Sequence, residues 1–199
     1  MSGAGPIIPS LKDVRDLLDA ATALHDPYGA TLELCILTGC LPWEATAIRL
    51  ELIEWRSGIV IVPARGRRGR TRLLPLSTAA LQTILRISGN AGGKGQAVTA
   101  GRGTPLNPKY VRLDRLQDRL AVNRPDTFDI AWNFHGLRAA TALHLLDDGA
   151  SREDVEVMLG RRASPGPEGG FSDGTPRAVA TAERWCALLL GNRSTRPGA

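Results

Sequence analysis

The sequence predicts a single α+β domain that is mainly helical and contains one small three-stranded antiparallel sheet. The chain has 199 residues, of which 43% are apolar, and a chain of this size buries one sizeable core. Most segments repeat their apolar residues at helical spacing and begin at capping residues. Between Leu52 and Leu76 the spacing changes to three short runs separated by turns, which is typical of strands.

Capping residues and glycines set the bounds of the predicted helices. Ser10 caps the first helix, with Asp13 at the capping-box position. The second helix is nearly all apolar after Glu33, which predicts deep burial, and Gly39 ends it. The predicted helices run over about 15 residues from Ser10, then over Tyr28 to Thr38, Pro42 to Leu50, Ser77 to Ile87, Asn107 to Val122, Asn133 to Asp147, Ser151 to Leu159 and Thr175 to Leu190.

The predicted strands and loops lie between these helices. Residues 88–106 are rich in glycine and are predicted to form a loop with one short strand near 97–99. Residues 163–175 form a turn-rich break, and we expect one domain over residues 8–190. The predicted strands are Leu52–Trp55, Gly58–Pro63 and Thr71–Leu76, and the predicted disordered ends are 1–7 and 191–199.

The charge, the lengths of the apolar runs and the cysteines limit the functions that this sequence could have. The net charge is +5, and arginines outnumber lysines by 22 to 3, which matters because the planar guanidinium pairs bidentately with phosphate. No apolar run reaches the roughly 18 residues of a membrane span, and the N-terminal segment lacks a secretory pattern, so we expect a cytoplasmic protein. The three cysteines form no CxxC pair, and we therefore expect no disulfide framework, no metal and no cofactor.

A run of arginines occupies the turn between the second and third predicted strands. No acidic residue lies between Arg56 and Arg72, although an ordinary solvated surface mixes both signs of charge. One interpretation is a solvated turn whose charges prevent edge-to-edge pairing of sheets. We favour the other, contact with DNA phosphates, because the interleaved glycines permit close backbone approach. The run contains Arg65, Arg67, Arg68, Arg70 and Arg72.

Three sequence blocks carry a resemblance to a known family. They are TGCLPWEATAIRLELIEWRSGIVIVPARGRRGRTRLLPLS at 38–77, FHGLRAATALHLLDDGA at 134–150 and SREDVEVMLGRR at 151–162. The first resembles the Thr-Gly turn, short helix and three-stranded sheet of the tyrosine recombinase (phage integrase) catalytic domain. The second resembles its His-x-x-Arg box, and the third its helix ending in Leu-Gly-His. The resemblance implies that family's catalytic fold over residues 8–190, without an N-terminal core-binding domain.

The resemblance also implies a metal-free reaction in which a tyrosine attacks a DNA phosphodiester. Two arginines hold the phosphate, a hairpin lysine protonates the leaving oxygen, and two histidines assist. In this chain the first arginine is replaced by Leu41, which has no donor, the lysine by Arg67, a poor proton donor, and the nucleophile by Phe171, which has no oxygen. The other implied positions are His135 and Arg138, which match, and Arg161, which replaces the second histidine.

These substitutions predict a DNA-binding protein that has lost strand cleavage and that accompanies or modulates integration or recombination of a mobile element. His135 and Arg138 begin a helix, where backbone N–H groups favour an anion. In the alternative interpretation Arg138 pairs with a buried acid, His135 is a core residue and Arg161 caps its helix. The predicted phosphate-binding residues are Arg65, Arg67, Arg68, Arg70, His135, Arg138 and Arg161.

Two other functions stay open at this point. An active recombinase would need an unusual nucleophile such as Ser172, since Tyr28 and Tyr110 lie elsewhere in the sequence. An interaction protein without DNA contacts would dock on an active recombinase, or on a second copy, through Trp185 and the leucines of residues 176–190. The expected partner of the favoured function is double-stranded DNA, and the expected location is the nucleoid of a bacterial or phage-infected cell.

Overall fold

The computed structural model describes residues 8–63, 71–89, 94–100, 104–113, 133–160 and 174–191 of the chain. Over these ranges it shows seven α-helices and three short strands, which confirms the predicted mainly helical class with a small antiparallel sheet. The elements are α1 Leu11–Thr22, α2 Pro27–Thr38, α3 Pro42–Thr46, β1 Ile53–Glu54, β2 Ile59–Val62, β3 Arg72–Pro75, α4 Thr78–Ser88, α5 Phe134–Asp147, α6 Arg152–Met158 and α7 Gly174–Leu190.

The capping residues act as the sequence predicts. The Ser10 hydroxyl accepts the Asp13 backbone N–H at 3.2 Å, and the Asp13 carboxylate accepts the Ser10 N–H at 3.0 Å. Gly39 ends α2 with φ of 65°, a left-handed conformation that glycine adopts without steric cost. Ser77, Asn133 and Ser151 cap α4, α5 and α6 in the same way as Ser10 caps α1.

The third helix is shorter than predicted, because the residues after it form hydrogen bonds with a distant segment of the chain. α3 ends at Thr46 instead of near Leu50. The Leu50 N–H donates to the Gly95 carbonyl, and the Ala97 N–H donates to the Ile48 carbonyl, both at 2.9 Å. These long-range bonds replace the local bonds that a longer helix would make. A 3-10 turn at Leu50–Leu52 then leads the chain into β1.

The sheet has the order β1-β2-β3 and is antiparallel throughout. Val60 of the central strand pairs with Ile53 on one side and Leu74 on the other, and all three are buried. Gly58 precedes β2 with φ of 67°, and a Cβ there would lie 2.8 Å from the Leu76 carbonyl oxygen. The turn therefore requires glycine at this position.

Two predictions between α4 and α5 need correction. The expected short strand near 97–99 is replaced by isolated bridges, Arg49 with Gln96 and Thr99 with Pro105. The expected helix from Asn107 to Val122 is wrong over its first part, which forms one 3-10 turn at Pro108–Tyr110 and then an extended stretch. Residues 114–122 lie outside the described ranges. The reason is visible in the burial of Leu106, Val111 and Leu113, a spacing that no single helical face provides.

The last helix packs into the core of its own chain. Trp185 is fully buried, and its Nε1–H donates to the Ile36 carbonyl oxygen at 2.8 Å. That carbonyl lies in the last turn of α2, where a helix leaves its acceptors without internal partners. Arg15 donates to the carbonyls of Leu188 and Leu189 at the end of α7. Trp185 and Leu189 thus pack in cis, although the docking hypothesis requires them to contact another molecule.

We expect Trp185→Phe to lower the free energy of unfolding by about 2–4 kcal/mol, because it leaves the buried Ile36 carbonyl without its donor and opens space in the core. Urea denaturation followed by circular dichroism measures this loss. Trp55→Phe is the matched control, since Trp55 is 40% exposed, and we expect it to change stability by less than about 0.5 kcal/mol. Equal losses in the two variants would contradict the assigned role of α7.

Candidate functional site

A buried carboxylate in α3 is the centre of the candidate site. Glu44 is the third residue of this short helix, and its side chain is only 4% exposed. Its Oε2 accepts the backbone N–H of Leu41 at 2.7 Å, which caps the helix. The Leu41 side chain has no polar atom, so residue 41 contributes only its backbone to this arrangement.

Two arginines from different elements approach the two oxygens of this carboxylate. Arg72, the first residue of β3, places Nη1 2.5 Å from Glu44 Oε1, and Arg138 in α5 places Nη1 3.8 Å from Oε2. Both arginine side chains are 13% exposed. A buried charge is costly unless it is paired, so the carboxylate and the two guanidiniums stabilise one another in this position. We call Glu44, Arg72 and Arg138 the Glu44 cluster.

The two arginines of the cluster also form hydrogen bonds with the end of α6. Arg72 Nη2 donates to the Met158 carbonyl oxygen at 2.8 Å, and Arg138 Nη2 donates to the Leu159 carbonyl oxygen. The last carbonyls of a helix lack internal donors and carry partial negative charge, which favours cations there. The Glu44 cluster therefore ties α3, β3, α5 and α6 together at one point.

The backbone at Gly160, directly after α6, has a conformation and a close neighbour that both require glycine. Its φ is +64°, and a Cβ built there would lie 2.1 Å from Arg72 Nε. Arg72 Nε is buried and has no hydrogen-bond partner among the described residues, so it packs against the Gly160 backbone. A side chain at position 160 would displace the Arg72 guanidinium from the carboxylate of Glu44.

The structure places the predicted site residues as follows. His135 is exposed in the first turn of α5, so the alternative that it is a core residue is wrong. Arg138 lies three residues later on the same face of the helix and is near a buried acid, as the other alternative proposed, and that acid is Glu44. Phosphate binding by His135 and Arg138 stays a prediction. The remaining predicted residues, Arg65, Arg67, Arg68, Arg70, Arg161 and Phe171, lie outside the described ranges.

Sequence reasoning missed the role of Arg72, which it counted only as part of the arginine run. The signal was the two-residue spacing of Arg72, Leu74 and Leu76, which puts Arg72 on the same strand face as two buried leucines. An arginine on the buried face of a strand requires an acidic partner. The first block contains three glutamates, and the tertiary structure identifies Glu44 as this partner.

The cysteine thiols are all buried and do not line an open site. Burial raises the pKa of Cys186 to about 12, and burial also raises the pKa of Cys35. A hydrogen bond from Cys35 lowers the pKa of the Cys40 thiol, which is 1% exposed. Across the described ranges, no group of three or more His, Cys, Asp or Glu side chains is arranged to hold a metal ion. No helix within those ranges is both long and apolar enough to cross a bilayer.

Comparison with known sequences identifies the family. Residues 10–164 match the sequence profile described as the phage integrase family. Tyrosine recombinase XerC of Mesorhizobium japonicum is 33% identical over 104 residues, which are 50% of this chain and 32% of that protein. XerC of Rhizobium meliloti is 25% identical over 164 residues, or 77% of this chain and 50% of that protein. The chain belongs to the phage integrase family, and it spans about half the length of the curated relatives it matches.

Comparison with solved structures confirms the fold. The integrase from mycobacterium phage Brujita superposes with a TM-score of 0.69 at 18% identity, covering 95% of this chain and 64% of that one. The Tn1549 transposon integrase, solved in complex with circular intermediate DNA, gives a TM-score of 0.65 at 13% identity, covering 80% and 59%. The described structure is therefore the catalytic-domain fold of the tyrosine recombinases.

We expect Glu44→Gln to cost about 3–5 kcal/mol of stability, because it removes the buried negative charge that faces the Arg72 and Arg138 guanidiniums. Glu156→Gln is the matched control: Glu156 pairs with Arg152, which is 85% exposed, and we expect a loss of about 0.3–0.5 kcal/mol. Urea titrations of both variants give the comparison. A loss at Glu44 as small as that at Glu156 would show that the cluster does not stabilise the fold.

We expect Gly160→Ala to be more destabilising than Gly191→Ala, although both glycines have positive φ, +64° and +57°. At Gly191 no atom of the described residues lies within 4 Å of an added Cβ, so the variant reports backbone strain, about 1–2 kcal/mol. At Gly160 the added Cβ also displaces Arg72, and this overpacking should lower the free energy of unfolding by about 1–3 kcal/mol more. Thermal denaturation of the two variants measures the difference, and equal losses would argue against close packing of Arg72 on Gly160.

Proposed function

We propose that this chain binds double-stranded DNA through His135 and the arginine run, and that it does not cleave the DNA. One observation carries the proposal. His135 is exposed one turn before Arg138, whose guanidinium is fixed by Glu44 and the Leu159 carbonyl at the N-terminal part of α5. Backbone N–H groups at a helix N-terminus favour an anion, and a phosphate that approaches this end meets the imidazole first.

The comparisons support DNA as the ligand. Two structures with the same fold, the Tn1549 transposon integrase and a lambda integrase tetramer, were solved with circular intermediate DNA and with a Holliday junction respectively. The arginine run between β2 and β3 adds a dense positive charge to the same chain. Phosphate neutralisation by such residues supplies most of the sequence-independent affinity of DNA-binding proteins.

Three features support the loss of strand cleavage. Leu41 offers only its backbone N–H, which Glu44 already accepts, where the family resemblance implies a phosphate-holding arginine. Phe171 has no hydroxyl at the position that the resemblance implies for the nucleophile. The buried thiols are poor candidates for an unusual nucleophile, because the thiolate is the reactive form and must reach the substrate.

The cellular role belongs to the same proposal. A DNA-binding chain that does not cut would accompany or modulate recombination of a mobile element at the nucleoid, alone or beside an active recombinase. If α7 contributes to such an association, it uses its exposed stripe, because Trp185 and Leu189 are occupied in cis. The exposed positions of α7 are Pro176, Arg177, Ala180, Arg184 and Ala187.

Affinity for duplex DNA is expected to fall steeply with salt. Replacing Arg65, Arg67 and Arg68 by glutamine removes three positive charges and should reduce the slope of log K against log salt concentration by about 3. A control variant with glutamine at Arg152, Arg177 and Arg184 removes the same charge from residues that pair with surface acids, and we expect a smaller change. Fluorescence anisotropy at several salt concentrations measures both slopes. No binding by the unmodified chain at low salt would refute the proposal.

Covalent attachment to DNA is expected to be absent. A pool of randomised duplexes with bridging 5′-phosphorothioate linkages traps any phosphotyrosyl or phosphoseryl adduct, because the sulfur leaving group does not religate. Denaturing gels of this chain should show no DNA-linked band, while a XerC recombinase on a pool containing its own site gives one. An adduct formed by this chain would restore the alternative of an active recombinase, and peptide mapping would identify the attacking residue.

A further inference from the structure

The outer surface of α5 carries two leucines that the fold leaves exposed. Leu143 is 41% exposed and Leu146 is 40% exposed, whereas Leu137 and Leu145 of the same helix are buried. Residues three apart on a helix are neighbours, so Leu143 and Leu146 form one small apolar surface. An apolar side chain left in water gives up the free energy of its burial, and a second molecule that covers this surface would recover it.

Leu143 belongs to a row of four residues that are spaced four apart along the helix. The row consists of His135, Ala139, Leu143 and Asp147, of which Ala139 is half-buried and the other three are exposed. Residues at this spacing form a ridge on a helix, and the commonest class of helix pairing packs such ridges of two helices side by side. The row therefore has the spacing of a helix-packing surface, and the described elements leave it open.

The two ends of this row have complementary chemistry. Asp147, the last residue of α5, makes no ion pair with another described residue, whereas Asp148 beside it pairs with Arg184. At the other end His135 presents an imidazole, and the N-terminus of the helix carries partial positive charge. In an antiparallel pair of α5 helices, Asp147 of each copy would lie opposite His135 of the other, and both carboxylates would gain a donor.

The middle of the row fits the same arrangement. When the row is paired antiparallel with itself, Leu143 of one copy lies opposite Ala139 of the other. The alanine methyl leaves space that the leucine side chain fills, and alternation of large and small residues allows two helices to interlock. Ala142 and Leu146 belong to the adjacent row, so the groove that receives Leu143 has a small residue on its other side as well.

We propose that two copies of this chain form a dimer through antiparallel packing of their α5 helices along the row from His135 to Asp147. Both copies use the same surface, which is the symmetry that most dimers have. The row is about 18 Å long, and so short a contact gives a weak dimer, with a dissociation constant of roughly 10–100 µM. The dimer does not depend on DNA binding, but it covers His135 and so excludes DNA from this residue.

Sedimentation velocity over a series of protein concentrations measures the association. Leu143→Glu places two carboxylates near the symmetry axis, and we expect it to raise the dissociation constant by about tenfold or more. The matched control is Leu85→Glu, on a residue of α4 that is 56% exposed, which should leave the dissociation constant unchanged. Circular dichroism of both variants should match that of the unmodified chain, because both positions face solvent.

Exchange of the charges at the two ends tests the antiparallel direction. Asp147→Lys should weaken the dimer, because it sets an ammonium against His135 and the helix N-terminus of the other copy. Adding His135→Glu to the same chain should restore the dimer, since each contact then joins a glutamate and a lysine. Both changes suit the helix itself, because an acid at its N-terminus and a base at its C-terminus complement its dipole. A double variant that associates no better than Asp147→Lys alone would overturn the arrangement.

Crosslinking locates the contact directly. Leu143→Cys treated with a short bismaleimide should link two copies, and Leu85→Cys should not, while the native cysteines are buried and react slowly. A chain that stays monomeric throughout the concentration series and gives no crosslink at position 143 refutes the dimer. These measurements use the chain alone, so their outcome is independent of the proposed DNA binding.

Discussion

The pairing of one buried carboxylate with two arginines is the constraint on which the rest of the structure depends. Glu44 receives the Leu41 N–H, the Arg72 guanidinium and the nearby charge of Arg138, and the two arginines bind the carbonyls at the end of α6. The carboxylate thus joins α3 to β3 and α5, and the two arginines extend the connection to α6. Because removal of a charge from a buried network leaves its partners uncompensated, the position of α5 relative to the sheet depends on this carboxylate.

The contacts of Glu44 show which residues near the site hold the fold together. Arg72 is enclosed by Glu44, the Met158 carbonyl and the Gly160 backbone, so it acts as a brace within the fold. The position of Leu41 has kept its backbone role, since it still caps α3 through Glu44. The fold therefore does not need a polar side chain at residue 41, because Glu44 has the Leu41 N–H and the guanidiniums of Arg72 and Arg138 as partners.

Local chemistry was predictable from the sequence, and long-range pairing was not. Ser10, Ser77 and Gly39 determine helix ends through bonds and backbone angles within a few residues, and these predictions are confirmed. The end of α3 depends on hydrogen bonds to residues 95–97, and the turn at 108–110 depends on the burial of its flanks. Periodicity within one segment carries no information about such partners, which is why both predictions failed.

In the candidate site, too, local spacing was predictable from the sequence and long-range contacts were not. The His-x-x-Arg spacing located His135 and Arg138 on one face of α5, since residues three apart on a helix are neighbours. The identity of the acid beside Arg138 required the tertiary structure, because Glu44 precedes it by more than ninety residues. Arg72 and Arg138 both contact Glu44 and the end of α6, so replacing either one changes stability and would confound a test of the proposed DNA binding. Contacts with DNA are therefore best assigned through exposed residues outside the Glu44 cluster, whose substitution leaves the buried charges paired.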